Sequence, residues 1–163
     1  MDKGLKTRWL EVLGYSGLIP FLGLALLVLL ADTAEQAAQL SKLNLLYGAC
    51  IVSFLGAVHW GILLTQASAD HPSYLAGRTV AQHEAFSLIW GVTPSLIAWV
   101  IVGFASTTTA LWLMGVALWF IWLVDQKALA PLQAFTDYLK LRTHLTLGAS
   151  VGLFATAIFY SMV

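Results

Sequence analysis

The chain has 163 residues, of which 60% are hydrophobic and 10% charged, with a mean hydropathy of +0.83. Soluble domains carry roughly 25% charged residues, so this composition is that of an integral membrane protein. A formal net charge of zero gives no electrostatic grip on nucleic acid, and the single cysteine, Cys50, rules out an intrachain disulfide, a cysteine-rich metal site and a CxxC redox pair.

A bilayer core about 30 Å thick takes roughly 20 helical residues to cross. The sequence has room for five such stretches with short connections, which predicts an all-α bundle of five transmembrane helices in one domain, 1–163. Met1 to Leu13 is a basic, amphipathic lead-in, with Trp9 near the depth that indoles favour at a membrane interface. The first span is expected over 14–31. Lys3, Lys6 and Arg8 ahead of it, with Ala31 and Ala34 spaced like a cleavage site, imitate a signal peptide. The apolar run exceeds the roughly 7–15 residues of a signal core and contains Pro20, so it reads as a retained span.

Residues 32–42 read as a polar, partly helical surface connection and 44–66 as the second span. Residues 67–82 form the most polar loop, with Pro72 and Gly77 as breakers. The third span is expected over 84–103, followed by a tight turn and a fourth span over 107–124. In the longer connection 125–142, Leu132, Phe135 and Leu139 share one face of a helix opened by Pro131. That helix either lies in the interface or begins the last span, expected over 143–162.

With five spans, the N-terminus and the second and fourth loops share one side of the membrane. That side carries seven of the eight Lys and Arg residues, all but Lys42. By the positive-inside rule the N-terminus is cytoplasmic and the C-terminus outside.

The second span is the most informative. At 100° per residue, Gly48, Val52 and Leu55 lie within about 40° of His59, and Ala49, Ser53 and Gly56 form a small-residue strip beside them. Small strips let helix backbones approach closely in lipid, so this helix is expected to be central. His59, next to Trp60, is about two turns from the cytoplasmic end. An ionisable group at that depth has to face protein or water, which makes it either a functional residue or a hydrogen-bonded structural one. In the third span Pro94, near Trp90 and Gly91, frees the carbonyl of Trp90 and predicts a kink or a new partner. Asp125, expected at the C-terminal end of span four, sits where the helix dipole disfavours an anion. Arg142 is its natural partner, with Lys127 and Arg78 as rivals. Glu84 at the start of span three is a candidate cap.

His59, His83, Glu84, Asp125, Tyr138, Arg142 and His144 all fall in the cytoplasmic half, whereas the outer half is mostly Thr, Ser and apolar groups. A proton or ion path places charged groups through the full thickness. The asymmetry favours instead a pocket open to the inner leaflet, suited to a lipid, a quinone head group or a partner subunit. His59 would bond the ligand, Trp60 and Trp90 would wall it, and Asp125 with Arg142 would floor it, with Glu84 and Tyr138 nearby. Haem ligation by two histidines is disfavoured because His59 alone lies well inside a span, and no metal-ligand spacing such as HExxH occurs. No cofactor is expected. Trp112, Trp119 and Trp122 read as lipid or interface contacts.

GLIPF (Gly17 to Phe21), LYGACIVSFLGAVHWG (Leu46 to Gly61), TPSLIAW (Thr93 to Trp99), Asp125, and Tyr138 to Thr143 leading into LTLGASVG together resemble the bacterial domain-of-unknown-function family 3429, whose eukaryotic relatives are mitochondrial and similar to transmembrane protein 69. The resemblance covers nearly the whole chain. It implies a five-helix fold in the bacterial inner membrane and no specific activity. The reading that results is a non-enzymatic accessory or scaffold protein, with membrane lipids and a complex partner or a second copy of itself as partners. The alternative is a small transporter or membrane enzyme in which His59 moves a proton.

Overall fold

The computed structural model describes residues 3–66, 80–129 and 135–163, and in them the chain is helical throughout apart from short turns and the last residues. Six helices follow one another: α1 (Lys3–Ser16), α2 (Leu18–Leu29), α3 (Ala34–Gln66), α4 (Val80–Phe104), α5 (Thr107–Leu129) and α6 (Thr136–Tyr160). Five segments are long and apolar enough to cross a membrane: Arg8–Leu29, Ala34–Leu64, Glu84–Phe104, Thr107–Leu129 and Thr136–Tyr160. The chain is a multi-pass membrane protein. Its first span is built from α1 and α2 around a turn at Gly17, whose N–H reaches the carbonyls of Leu13 at 3.2 Å and Gly14 at 3.1 Å.

The ends of the spans differ from those expected, each for a local reason. Residues 34–43 are not a surface connection but the first turns of α3. The stretch AEQAAQLSKL contains no glycine or proline, and Thr33 caps it: its hydroxyl accepts from Gln36 N at 3.2 Å while Gln36 Oε1 accepts from Asp32 N at 3.2 Å. This is close to a capping box. The helix therefore starts at Ala34 rather than Asn44 and already buries Ala37 and Ser41.

At the other ends, α5 runs on to Leu129, so Asp125 lies a turn inside the helix instead of after it. Helix α6 begins at Thr136 rather than 143, which makes Tyr138, Leu139 and Arg142 part of the last span. The interfacial alternative for that segment is not what residues 136–142 do; Pro131 and Leu132 lie outside the described residues. Helix α4 begins at Val80, which places Glu84 a turn inside it and exposed, and so not a cap. The His71, Pro72, Gly77 and Arg78 loop also lies outside the described residues. The tight turn before α5 is closed by Ser106, whose carbonyl accepts from Ala110 N at 2.7 Å.

Consecutive spans run antiparallel. Helix α3 packs against α2, α4, α5 and α6, and α6 packs against α2 and α5. One face of α3 is buried along its length through Ala37, Ser41, Asn44, Leu45, Val52, Leu55, His59 and Ile62, the three-and-four spacing of a helix whose stripe faces a core. Phe21, Leu111, Met114, Leu118, Ile121 and Leu153 complete the centre. Gly48 allows this: a methyl group there would press on Met114 Cγ at 3.3 Å, Leu153 Cδ2 at 3.4 Å and Phe21 Cε1 at 3.6 Å. Those side chains come from α5, α6 and α2 and meet at one glycine.

Candidate functional site

Asp125 is the hub of the interior. Its Oδ1 lies 3.0 Å from His59 Nε2 and accepts the indole N–H of Trp90 at 3.3 Å, while Oδ2 accepts from Arg142 at 3.4 Å. The exposures of His59, Asp125 and Arg142 are 2%, 2% and 4%. Each member comes from a different helix, α3, α4, α5 and α6, so one carboxylate ties four of the spans together. Because the antiparallel order brings the end of α3, the start of α4, the end of α5 and the start of α6 to the same end of the bundle as the N-terminus, the groups share one depth. The carboxylate pairs with the guanidinium, accepts the Trp90 N–H and lies against His59 Nε2, so most of its lone pairs are occupied.

Aromatic rings enclose the hub. Phe86 packs edge-on to His59 at 5.9 Å and is nearly parallel to Trp90 at 6.1 Å, and Phe120 meets Trp90 edge-on at 5.9 Å. Trp90, expected as a wall, is a hydrogen-bond donor as well. Tyr138 is half-buried, within electrostatic reach of both Arg142 and Asp125, and stacks edge-on against Phe135.

Beside the hub, α3 and α4 cross at close range. A methyl group on Gly56 would collide with the Gly91 carbonyl and press on Pro94 Cδ at 3.2 Å, and one on Gly91 would collide with the Trp60 indole. Trp60, expected as the other wall, bonds to α4 and not to the hub. It lies over the α3–α4 seam, 42% exposed, and donates to the Leu88 carbonyl at 3.1 Å. The carbonyl that Pro94 frees, that of Trp90, is therefore not the one Trp60 engages, and α4 continues through Pro94 as one helix. Ser53 turns back on the Ala49 carbonyl at 2.8 Å. The small residues of α3 thus serve different neighbours, with Gly48 facing the core and Gly56 facing α4.

Three further polar links escaped the sequence. Trp122 donates to Thr143 Oγ1 at 2.9 Å, and Gln126 Nε2 reaches the same hydroxyl at 3.4 Å, so Trp122 joins α5 to α6 beside the hub. His144 does not join the hub: its Nδ1 lies 3.0 Å from the Tyr15 hydroxyl, which fastens α1 to α6 on an exposed face. In the opposite half, Asn44 Nδ2 donates to the Phe21 carbonyl at 3.2 Å and to Thr156 Oγ1 at 2.6 Å, and Thr156 in turn donates to the Gly152 carbonyl at 2.9 Å. That second centre joins α2, α3 and α6. A signal for it was available in Asn44, a polar residue at the stripe spacing of α3.

The hub combines one fixed positive charge, one carboxylate, an imidazole and an indole. It holds no serine, cysteine or lysine among its mutual bonds, and among the described residues no three His, Cys, Asp or Glu side chains come together to ligate a metal. What it does with certainty is hold four helices by one acceptor. Among the described residues, five buried side-chain atoms nevertheless have no hydrogen-bond partner: Ser41 Oγ, Asn44 Oδ1, Ser87 Oγ, Arg142 Nε and Thr146 Oγ1.

The model of a family described as "Protein of unknown function (DUF3429)" matches residues 7–158. Transmembrane protein 69 of Xenopus tropicalis is 31% identical over 97 residues, covering 60% of this chain and 33% of the relative. The chain thus matches about a third of the length of that relative. No solved structure matches.

Proposed function

The chain belongs to the DUF3429 family, and from that premise we propose that it is a non-enzymatic accessory or scaffold protein of the bacterial inner membrane, with its N-terminus in the cytoplasm. The observation that carries this reading is how the interior polar groups are used. The Asp125 hub ties α3, α4, α5 and α6, and Asn44 ties α2, α3 and α6. Every membrane span is gripped by at least one of the two centres. Groups committed to holding helices together are poorly placed to turn over a substrate, and the surface left for function is the outside of the bundle and its N-terminal end. There the charged rim of the expected cytoplasmic side, with Tyr138, Glu84 and Lys127, would meet a partner subunit or the head group of a lipid or quinone-like ligand.

The alternative, proton transfer by His59, draws support from the 3.0 Å contact between His59 Nε2 and Asp125. Against it stands the layer between the two polar centres. Phe21, Met114 and Leu153 meet around Gly48, one turn along α3 from Asn44, and all three are at most 1% exposed. A proton crossing the bundle would have to pass that apolar seal.

Purification from native membranes in mild detergent, followed by mass spectrometry of what co-elutes, tests the reading. A stoichiometric protein or a single retained lipid or quinone class is expected. Proton flux into vesicles that His59→Ala abolishes, with assembly intact, would replace this reading by the transporter. Alkaline phosphatase fused to the C-terminus is expected to be active, and an inactive C-terminal fusion would reverse the orientation.

A further inference from the structure

Helix α6 carries four hydroxyl residues toward its neighbours, and three of them satisfy themselves in the same way. Thr143, Ser150 and Thr156 donate to the carbonyl one turn back, at 2.9, 2.8 and 2.9 Å. Thr146, the fourth, does not. Its hydroxyl has no partner although the residue is 1% exposed. One turn before it on the same face is Arg142, which uses one terminal nitrogen on Asp125 and leaves Nε buried and unpaired. Residues four apart lie on one face of a helix, so the two unpartnered groups share the face of α6 that is turned into the bundle. Two neighbouring orphans in a membrane interior are costly to leave unmatched.

We infer that Arg142 Nε and Thr146 Oγ1 frame a site for an oxygen atom that the protein does not supply. Nε–H can only donate, so the occupant must accept. The guanidinium charge already faces the Asp125 carboxylate, so the occupant is neutral. An internal water meets these terms, as does the carbonyl of a quinone or lipid ester. Both forms go beyond the reading above, which places its ligand at the charged rim of the bundle.

The sign of a stability change tests it. In the full-length protein in detergent, Thr146→Val removes the hydroxyl while nearly keeping the shape. If the hydroxyl bonds an occupant, the thermal midpoint falls and Thr146→Ser restores most of it. If the hydroxyl is truly unpaired, its removal relieves a buried polar group, and an unchanged or raised midpoint overturns the inference. A high-resolution density map of the wild-type protein is the second measurement: an ordered non-protein oxygen within hydrogen-bond distance of Arg142 Nε is expected, and an Nε bonded to a protein atom refutes the site. Solvent extraction separates the sources. An organic carbonyl compound retained by wild type and lost from Thr146→Val identifies an amphiphile. A fallen midpoint with nothing organic retained identifies water, which upholds the site and leaves the rim contact of the proposed function untouched.

Discussion

Replacing Asp125 by leucine probes the hub most directly, and the contacts set the size of the effect. The change leaves Arg142, 4% exposed, without a counter-charge, and takes the acceptor from both His59 and Trp90. Removing one partner of a buried ion pair costs about 3–5 kcal/mol, and a stranded buried donor adds about 1–3 kcal/mol. Asp125→Leu alone is therefore expected to cost at least about 5 kcal/mol, enough to unfold a marginally stable domain. Adding Arg142→Met to it removes the stranded guanidinium and leaves only the lost contacts of His59 and Trp90. Because a buried pair replaced whole by apolar residues is often neutral, the double variant should recover about 3 kcal/mol or more of the loss. Unfolding in mixed micelles, followed by fluorescence of the tryptophans near the hub, measures both, with Arg142→Met completing the cycle. A double variant no more stable than Asp125→Leu would show that Arg142 and Asp125 do not depend on each other, and the hub would have to be redrawn around His59 and Trp90.

Other expectations concern helix contacts. Gly56→Ala drives a methyl group into the Gly91 carbonyl, where backbone must shift, and is expected to cost about 1–3 kcal/mol. Gly23→Ala, with nothing within 4 Å of the new methyl, is expected to gain up to about 1 kcal/mol from helix propensity; equal effects from the two would refute the close α3–α4 crossing. Asn44→Leu loses the links to Phe21 and Thr156 but also removes an unpaired carbonyl oxygen, so a loss of about 1 kcal/mol is expected in thermal melts, well below that of Asp125→Leu. Ser87→Ala deletes a hydroxyl with no partner and should leave the midpoint unchanged or raise it. A clear fall would reveal a bond to something outside the protein.

The number of spans and the centrality of α3 were legible because apolar length and small-residue spacing are properties of the chain alone. The Asp125–Arg142 pairing was legible for a similar reason: two opposite charges near the same membrane level have few other places to go. Helix ends were less legible. The polar residues from Ala34 to Lys42 resemble a loop by composition, yet Thr33 and Gln36 cap them and nothing breaks them. The first turns of α6 were half legible: a helix was expected there, but the charges of Asp137, Lys140 and Arg142 left open whether it lay in the interface or began the last span, as it does. The role of Trp90 as a donor was out of reach, because periodicity gives the face of a residue but not which atom meets which. For His144, depth alone grouped it with the hub, while its actual partner is Tyr15 on another side of α6.

The length of α3 has a consequence for the membrane around it. Its 33 residues make a rod about 50 Å long, against a hydrocarbon core of about 30 Å, whereas α4 has 25 residues and reaches about 38 Å. The excess of α3 lies in its first turns, where Glu35, Gln39 and Lys42 are exposed and Lys42 can extend its ammonium toward the head groups. A thicker bilayer can cover those turns and a thinner one can leave them in water, with little change in the apolar surface that remains uncovered. Hydrophobic mismatch, which sorts many membrane proteins by bilayer thickness, would on this helix be met by how many of those first turns the bilayer covers.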